Sequence, residues 1–572
     1  MKKVKLFSFA LAALMLGACS SEDVIDNGGQ PQWNDKGKGY INLAIQLPTQ
    51  PGTRANDNFD DGTPAEYEVK DATLILFVDN KVNSAYEMNL NFSMDGTSDN
   101  ITTTAKITQK INKVEGSEPS PTIQALVVLN RNNVFTVDGS DLTVGGQSMA
   151  GKSLSDLNQA VSDAIGSDYS WHDNGLLMSN AVMASAAGGA TEPTNANVVG
   201  PLVTIDGDNI YSTKAEADAN PAATIYVERA EAKVTLTAGN GTVTDGSDFE
   251  YTILGWALDN TNMTSKLVRD VTNFGDWKAY AATGVQTNQY RFIGSAPISD
   301  GLFRVYWGDD YNYTGMAAGN TGLKTIGGAH AVIDNGLIDA DGASPAYCFE
   351  NTTGLAEMLE RNLTRVIVKT QFNGGTSFYT VDDNRGEMWT EEKVEKEVAA
   401  RLLADIDFNK WAYDNVKAGE TLSSETDFDV TLSDEVAGKR TVTAITINET
   451  GKAKLEDGAI DTYPGNAVDL ANKHIVLNYY ADGVAYYPVY VKHFGDDLTP
   501  WTTGVYDTDA NFLGRYGMLR NNWYDLNVTK IRSLGDPDVT EVTGDPVDKD
   551  ESYISVEINV LSWAKRSQDV EL

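Results

Sequence analysis

The sequence predicts an all-β fold with minor helices, arranged as two β-sandwich domains followed by a C-terminal strand on an extended arm. The chain has 572 residues, which is more than one hydrophobic core usually supports. Its 51 glycines and 25 tyrosines, with many threonines and valines, favour strands joined by turns. From Val69 onward, strand-like runs recur between turn clusters, and this spacing is typical of β-sandwiches.

The N-terminus has the pattern of an exported precursor. Lysines at the start precede an apolar run, "LFSFALAALML", that is too short to span a bilayer as a stable helix. Leu16–Cys19 then resembles the lipobox of bacterial lipoproteins, in which the cysteine is lipidated and begins the mature chain. We therefore predict a lipoprotein signal peptide over 1–19, with Cys19 as the lipidation site. The alternative is an ordinary signal peptide with a chance cysteine.

Two stretches near opposite ends of the chain share one pattern. "YINLAIQL" (Tyr40–Leu47) and "YISVEINV" (Tyr553–Val560) both read Tyr-Ile-x-apolar-x-Ile-x-apolar. Such alternation predicts a strand with one face meant for burial, so both segments could fill the same groove. The faces for burial are Ile41, Leu43, Ile45 and Leu47 in the first strand, and Ile554, Val556, Ile558 and Val560 in the second.

Two amphipathic helices and one linker interrupt the predicted strands. Helical spacing of apolar residues occurs at Leu154, Leu157, Val161 and Ile165, and again at Val394, Val398, Leu402 and Ile406. The acidic stretch 535–552 has two prolines and no periodicity, which predicts an extended linker. With a domain boundary near Val227, the predicted division is 1–19 signal peptide, 20–54 tether and N-terminal strand, 55–226 first sandwich, 227–535 second sandwich, and 536–572 linker and terminal strand.

Six motifs occur in a set order along most of the chain. They are the lipobox at Cys19, "VERAEAKV" from Val227, "AYCFENT" from Ala346, "AYYPVYVKH" from Ala485, "LRNNWYDLNVTKIRSLG" from Leu519 and the closing "ISVEINVLSW". Together they resemble the fimbrillins of the Bacteroidales, of the FimA type, which are the major subunits of type V pili. The resemblance implies two transthyretin-like β-sandwich domains, export as a lipoprotein and proteolytic removal of an N-terminal strand. A donor strand, the C-terminal strand of a neighbouring subunit, then fills the emptied groove.

For this chain, the resemblance implies that Tyr40–Leu47 is the removable strand and Ile554–Val560 the donor strand. It also implies cleavage between Arg54 and Ala55 by an extracellular Arg-specific protease, in a loop rich in Pro, Gly and Asp. Arg54 is the first arginine in the chain, and the next is Arg131. A cut at Arg54 would therefore discard the lipid and the strand together. The alternatives are that Arg54 is an ordinary solvated charge and that the terminal strand pairs within its own domain.

The resemblance also implies a function and a location. The protein would be the stalk subunit of a surface fimbria, joined to other copies of itself in a linear polymer and to tip and anchor subunits, and it would support cell adhesion. A transient lipid anchor in the outer membrane would precede its place in the extracellular fimbrium. The alternatives are a lipid-anchored, glycan-binding surface protein, and a tip or anchor subunit of the same fimbria.

Other functions find little support in the sequence. The net charge of −37 argues against binding nucleic acid. Gly146, Gly151, Lys152 and Ser153 match a phosphate-binding loop, but no buried parallel strand precedes them, and we interpret the match as a Gly-rich turn. The four histidines form no close pair or metal motif. We predict no enzyme activity, no cofactor and no metal.

Two further features have simple interpretations. "DTDANFLGRYGM" begins like a calcium loop, but Phe512 stands where glycine is needed and Met518 where glutamate is needed. With Cys19 lipidated, Cys348 has no disulfide partner and is expected to be a small buried hydrophobe.

Overall fold

The structure is a computed structural model. It describes residues 31–47, 64–90, 104–115, 122–165, 175–185, 198–220, 222–272, 293, 301–313, 323–324, 336–382, 384–458, 463–493, 501, 505, 512–548 and 554–562. Cys19, Arg54 and Ala55 lie outside these ranges. In the described part the chain is mostly strand with few helices, so the predicted all-β class with minor helices is confirmed. None of its helices has the length and apolar character needed to cross a membrane.

Most of the elements up to residue 229 build the first sandwich. The strands are β1 (Lys38–Gln46), β2 (Ala72–Val78), β3 (Lys81–Met88), β4 (Thr104–Asn112), β5 (Ile123–Leu129), β6 (Phe135–Asp138), β7 (Asp141–Val144), β8 (Gln147–Ser148), β9 (Met178–Asn180), β10 (Met183–Ala184), β11 (Val198–Val199), β12 (Val203–Ile205) and β13 (Ala223–Arg229). The helices are α1 (Pro64–Tyr67), α2 (Leu154–Ala164) and α3 (Lys214–Ala219). The main sheet has the order β3-β2-β5-β9-β13-β1-β4, and β12 also pairs with β5.

β13 divides this sheet into two layers. Its first half pairs in parallel with β1, and its second half pairs antiparallel with β9. Three strands separate β1 from β2 in the sheet, yet Leu43 of β1 and Leu76 of β2 lie in one buried core. Side chains of a flat sheet could not meet in this way, so the two layers face each other as a sandwich.

α2 covers the outer face of the β2 layer. Ser153 caps its start, because the Ser153 hydroxyl accepts from the Asp156 N–H at 3.1 Å and the Asp156 carboxylate accepts from the Ser153 N–H at 2.9 Å. Leu157 and Val161 are buried against Phe77 of β2. The first helix predicted from apolar spacing is therefore confirmed.

The second sandwich begins at β14, one residue after β13 ends, so the chain passes between the sandwiches at Ala230 rather than at Val227. Its two four-stranded sheets have the orders β20-β14-β28-β29 and β15-β16-β21-β27. Val234 of β14 and Trp256 of β16, from opposite sheets, lie in one core. The strands after β13 are β14 (Glu231–Thr237), β15 (Gly241–Thr242), β16 (Glu250–Asp259), β17 (Thr261–Asn262), β18 (Phe303–Arg304), β19 (Leu323–Lys324), β20 (Ala346–Phe349), β21 (Arg365–Phe372), β22 (Phe378–Val381), β23 (Phe428–Leu432), β24 (Lys439–Arg440), β25 (Val442–Ile447), β26 (Leu477–Tyr480), β27 (Val484–Tyr490), β28 (Asn522–Ile531) and β29 (Ile554–Ser562).

A lobe that the sequence analysis did not predict is inserted between β21 and β27, which are neighbours in one sheet. It holds β22–β26 and the helices α4 (Glu391–Ala404), α5 (Ile406–Asn415), α6 (Glu449–Lys452) and α7 (Ala467–His474). α4 confirms the second predicted helix, and Val394, Val398 and Leu402 are buried in the core of the lobe. Ile406 is not part of that face: it is 83% exposed, because α4 ends at Ala404 and Asp405 caps the next helix.

Residues 535–548, here named the C-terminal strap, are packed against the second sandwich. Arg385 pairs with Asp536 and Arg515 pairs with Asp548, each at 2.7 Å. Val539 of the strap is buried. The strap contains no helix or strand, as expected, but the prediction of a free linker over 535–552 is corrected for this part. Two of its acidic residues, Asp536 and Asp548, are held by arginines that are distant in the sequence.

Candidate strand-exchange site

β1, which contains all of the predicted removable strand except its last residue, Leu47, is an interior strand of the first sandwich. It pairs in parallel with β13 on one side and antiparallel with β4 along its whole length on the other. Near its start, the Tyr40 N–H donates to the Tyr211 carbonyl oxygen at 2.8 Å, and the Tyr211 N–H donates to that of Tyr40 at 2.9 Å. We call the slot between β4 and β13 the β1 groove, because removal of β1 would leave two unpaired strand edges there.

The inward face of β1 is buried in the core of the sandwich. The four alternating side chains, Ile41, Leu43, Ile45 and Leu47, are 1%, 0%, 0% and 2% exposed. They share this core with Leu74 of β2, Val127 of β5 and Ile225 of β13. Burial of four such side chains contributes roughly 6–12 kcal/mol before the loss of entropy is counted. An empty β1 groove would therefore expose a deep apolar trough.

The outward face of β1 is covered by α3 at one end. The Asn42 side-chain amide donates to the Asn220 carbonyl oxygen at 3.0 Å, just past the end of α3. On β4, Thr108 stands opposite Asn42 and donates a hydrogen bond to Asp218 of α3. Asp218 also pairs with Lys214 at 2.6 Å. A side chain at the Asn42 position therefore lies opposite Thr108 and next to the Asn220 carbonyl oxygen, which accepts hydrogen bonds.

The other end of the outward face is open. Ala44 stands opposite Lys106 of β4 and beside Thr224 of β13. Ala44 itself is 6% exposed, while the side chains of Lys106 and Thr224 are exposed to solvent. A longer side chain at the Ala44 position could therefore extend between its neighbours to water.

β29, which contains the predicted donor strand, is the edge strand of the second sandwich. It pairs antiparallel with β28, from Ile554 opposite Ile531 to Ser562 opposite Asn522. Its other edge pairs with none of the described strands. Val556 is partly buried against the core. In the single chain, the terminal strand thus pairs within its own domain, as the alternative interpretation of the sequence expects.

α1 is the first described element after the predicted cleavage loop, and it is anchored to both sandwiches. Glu66 forms an ion pair with Lys233 of β14 at 2.9 Å, and it accepts a hydrogen bond from the Tyr347 hydroxyl. Arg229 of β13 donates to the Glu66 carbonyl oxygen at 3.2 Å. A cut between Arg54 and Ala55 would therefore separate β1 from a segment that remains held in place.

The motif "VERAEAKV" supplies a buried ion network where the two sandwiches meet. Arg269 pairs with Glu228 at 3.0 Å and with Glu350 at 2.8 Å, and Arg520 pairs with Glu350 at 2.8 Å. Burial disfavours the charged Arg269, but the two carboxylates outweigh it and raise its pKa. Burial raises the pKa of Glu231 to about 8. The sequence pointed to this motif only by resemblance; charged residues inside a strand-like run were the signal for a buried network.

The phosphate-loop match forms a turn before α2. Gly146 and Gly151 both have positive φ, at 79° and 72°. The Ser153 hydroxyl donates to Asp156 at 2.8 Å as part of the helix cap, rather than being oriented toward a ligand. The strands before it, β7 and β8, form an antiparallel hairpin instead of a βα unit. The interpretation as a Gly-rich turn is confirmed.

The remaining candidate residues are buried in the interior of the protein. Cys348 is 1% exposed, and burial raises the pKa of its thiol to about 12, so the expectation of a buried hydrophobe is confirmed. His493 Nδ1 lies 2.7 Å from the Tyr524 hydroxyl, inside the second sandwich. Phe512 and Met518, at the calcium-loop match, are buried. Among the described residues, no three metal-ligating side chains lie close enough to hold an ion.

The described part of the chain thus has two β-sandwiches, an N-terminal strand that is paired on both edges and a C-terminal strand at the edge of a sheet. Residues 478–569 match the family model of the major fimbrial subunit protein type IV, fimbrillin, C-terminal. The match covers β27, β28 and β29 and the last three motifs of the sequence. The predicted resemblance is confirmed over this segment, which is of the fimbrillin type. A comparison with curated proteins gives no match.

Several solved structures are similar to the chain at low identity. A fimbrilin (FimA) from Porphyromonas gingivalis W83 has 14% identity and a TM-score of 0.36, over 92% of this chain and 98% of that chain. A fimbrial assembly protein from Parabacteroides distasonis has 13% and 0.25, over 59% and 84%. The tip fimbrial protein Mfa3 from P. gingivalis, with a C-terminal truncation, has 9% and 0.24, over 92% and 100%. All these TM-scores are below 0.5, so the fimbrillin assignment rests on the family match.

Proposed function

We propose that this protein is a structural, non-catalytic stalk subunit of a surface fimbria, which polymerises by exchanging strands between copies and so supports cell adhesion. The observation that carries the proposal is the difference between the two matching strands. Among the described strands, β1 has a partner on both edges, whereas β29 has a partner on one. The family match over residues 478–569 supports the fimbrial assignment.

Exchange is favourable because a strand would form more main-chain hydrogen bonds and more apolar contacts in the β1 groove than at the edge of β28. Paired with β28 of its own chain, β29 forms one ladder of main-chain hydrogen bonds. Between β4 and β13 of another copy, it would form two. Each additional hydrogen bond contributes about 0.5–1.5 kcal/mol. Its aliphatic side chains would also take places that are at most 2% exposed in β1.

Proteolysis would control this exchange. While β1 is part of the chain, its effective concentration keeps other strands out of the groove. Cleavage between Arg54 and Ala55 by an extracellular Arg-specific protease would turn β1 into a separate peptide and release the lipid on Cys19. The outer-membrane anchor would then be transient, and tip and anchor subunits would bind at the two ends of the linear polymer.

The test uses soluble protein that begins at Ser20, treated briefly with an Arg-specific protease and run on a gel without boiling. The control is a copy truncated after Ser552, which keeps the C-terminal strap and lacks β29. We expect a ladder of denaturant-resistant multimers with a new N-terminus at Ala55, and no ladder from the truncated copy. Each rung would contain one more exchanged strand.

A second function is favoured by the observed pairing of β29 with β28. If β29 always stays paired with β28 of its own chain, the protein would remain anchored through Cys19 as a surface protein that binds other molecules, such as glycans. Cleaved protein that stays monomeric under all conditions would contradict the stalk proposal and support this alternative.

A further inference from the structure

We propose that the donor strand enters the β1 groove in one register, with Glu557 in the place of Ala44 and paired with Lys106 of β4. The inference rests on the proposed strand exchange and adds the side-chain pair that selects the register and the partner, a second copy of this chain. The two strands match polar for polar at the outward positions 42/555 and 46/559. At the outward position between them, the departing strand has Ala44 and the arriving strand has Glu557.

The open end of the β1 groove suits a carboxylate at this position. In β1, Ala44 is directly opposite Lys106 in the antiparallel pair with β4, and such cross-strand side chains start about 4.5–5.5 Å apart. Lys106 and Thr224 are both exposed, so a longer side chain has access to solvent and to the lysine ammonium group. Glu557 could thus form an ion pair without being buried.

A shift of the donor strand by two residues toward the start of β1 is disfavoured for two reasons. Glu557 would take the place of Asn42, whose side-chain amide donates to the Asn220 carbonyl oxygen at 3.0 Å, and a carboxylate cannot form that hydrogen bond. Ile554 would take the place of Gly39, where a Cβ atom would lie only 2.8 Å from Ile210 Cγ2. The lost hydrogen bond to Asn220 and the steric overlap at Gly39 therefore oppose this register.

A shift of two residues in the other direction loses apolar contact. Ser552 would then take the place of Ile41, which is 1% exposed in the core. Glu557 would stand at the Gln46 position, opposite Thr104 instead of Lys106. The register with Glu557 at Ala44 is the one that fills all four aliphatic places and pairs the charge. A shift of one residue would turn the aliphatic face outward.

The proposed pair of Glu557 with Lys106 would affect how two copies approach each other, in addition to its own interaction energy. The full chain has a net charge of −37 and remains strongly acidic without its first 54 residues, so two copies repel each other over long distances. On the outward face of β4, exposed Lys106 and Lys110 are a local positive feature at the mouth of the β1 groove. Complementary charge at this point would steer the arriving strand and disfavour strands that lack it.

The test is a charge swap in the full chain from Ser20, cleaved by the Arg-specific protease, with multimer formation followed over time. We expect Lys106→Glu and Glu557→Lys each to slow the formation of dimers about two- to tenfold at low salt, since attraction becomes repulsion. The double variant should return to within about twofold of the wild type. The differences should shrink at about 1 M salt.

The matched control is Lys110→Glu, which reverses a charge on the same face of β4 but opposite Tyr40 rather than Ala44. It should slow assembly less than Lys106→Glu, and Glu557→Lys should not rescue it. Equal thermal unfolding of the uncleaved variants shows that each is folded.

The outcomes separate the two proposals. Multimers that form with no coupling between positions 106 and 557 would overturn the register and leave strand exchange standing. Rescue of Lys110→Glu instead of Lys106→Glu would overturn it in favour of a shifted strand. If the wild type and all variants stay monomeric after cleavage, both strand exchange and its register are wrong.

Discussion

At the scale of single residues, the junction between the sandwiches depends on charges that have lost contact with water. Buried ions are tolerated only when each is paired and hydrogen-bonded, and removal of one partner leaves the other uncompensated. Arg269 compensates Glu228 and Glu350, which come from distant parts of the sequence. The network therefore makes the packing of the two sandwiches specific rather than merely strong.

We predict that Arg269→Met lowers the free energy of unfolding by about 3–5 kcal/mol, because Glu228 would be left buried without its cation. Urea unfolding of the uncleaved protein measures this effect. The control is Arg401→Met, which removes half-exposed pairs with Glu397 and Asp382 and should cost about 0–1 kcal/mol. Equal effects of the two substitutions would contradict the role given to the buried network.

Glu231 makes stability depend on pH. One of its carboxyl oxygens accepts from the Leu177 N–H at 3.2 Å, while the other has no hydrogen-bond partner among the described residues. Because its folded pKa, about 8, is above the value of an unfolded glutamate, the folded state holds a proton that the unfolded state has released between about pH 4.5 and 8. This contribution to stability is complete below pH 4.5 and is lost as the pH rises through 8.

Glu231→Gln should remove that dependence, since glutamine keeps the acceptor for Leu177 and cannot ionise. We expect the variant to match the wild type at pH 5 and to be the more stable of the two at pH 8. The slope of the difference is at most about 1.4 kcal/mol per pH unit. Urea midpoints of both proteins at pH 5, 6.5 and 8 provide the measurement, and parallel curves would show that Glu231 does not titrate in this range.

At the scale of elements, β1 is a structural strand and, in the proposed exchange, the segment that occupies the β1 groove until it leaves. We predict that Leu43→Ala lowers the free energy of unfolding of the uncleaved protein by about 2–5 kcal/mol, because Leu43 is fully buried. After cleavage, the same variant should form multimers faster, since a weakened β1 leaves sooner. The groove that it leaves is the wild-type groove, because Leu43 departs with β1.

The control for this prediction is Gln46→Ala, on the partly exposed outward face of the same strand. It should change stability by about 0.5 kcal/mol or less and leave the time course unchanged. A Leu43→Ala protein that is destabilised but assembles no faster would show that departure of β1 does not limit assembly.

The elements also show how far sequence can lead. β1 and the helices α2 and α4 follow from local periodicity, which a single stretch of chain contains in full. The partner of β29 does not, because the same alternation suits the edge of β28 and an emptied β1 groove equally. The inserted lobe was missed because its strands, such as β22 and β26, are only four residues long and alternate with helices.

The C-terminal strap illustrates the same limit from another side. Its prolines and acidic residues are typical of a linker, and nothing local identifies the arginines that hold it. Arg515 precedes Asp548 by 33 positions and Arg385 precedes Asp536 by 151, so these contacts arise only from the complete fold. Asp548 is bound to Arg515 of the second sandwich. Only the chain after Asp548, which includes β29, could therefore extend to another copy.

At the scale of the whole molecule, the proposed exchange would give a strand to one neighbour and take a strand from another, so each contact would be head-to-tail. Such heterologous contacts do not close on themselves unless the rotation between copies returns to its start, so they generate open filaments. Growth then needs both features in every copy: an emptied β1 groove and a free β29. Copies with only one of the two should end the chain.

This requirement predicts the product of a mixture in which the two features are separated. One copy carries Arg54→Ala, which keeps β1 in its groove and leaves β29 intact; the other is cleaved and truncated after Ser552, which empties the groove and removes the donor. Mixed in equal amounts, they should form one-to-one dimers that resist denaturant and grow no further, as measured by unboiled gels and light scattering. Either copy alone should remain monomeric. Larger species in the mixture would require a second contact surface, and truncated copies that associate by themselves would show that polymerisation does not need β29. If only dimers form, a single strand and a single groove account for every junction in the polymer.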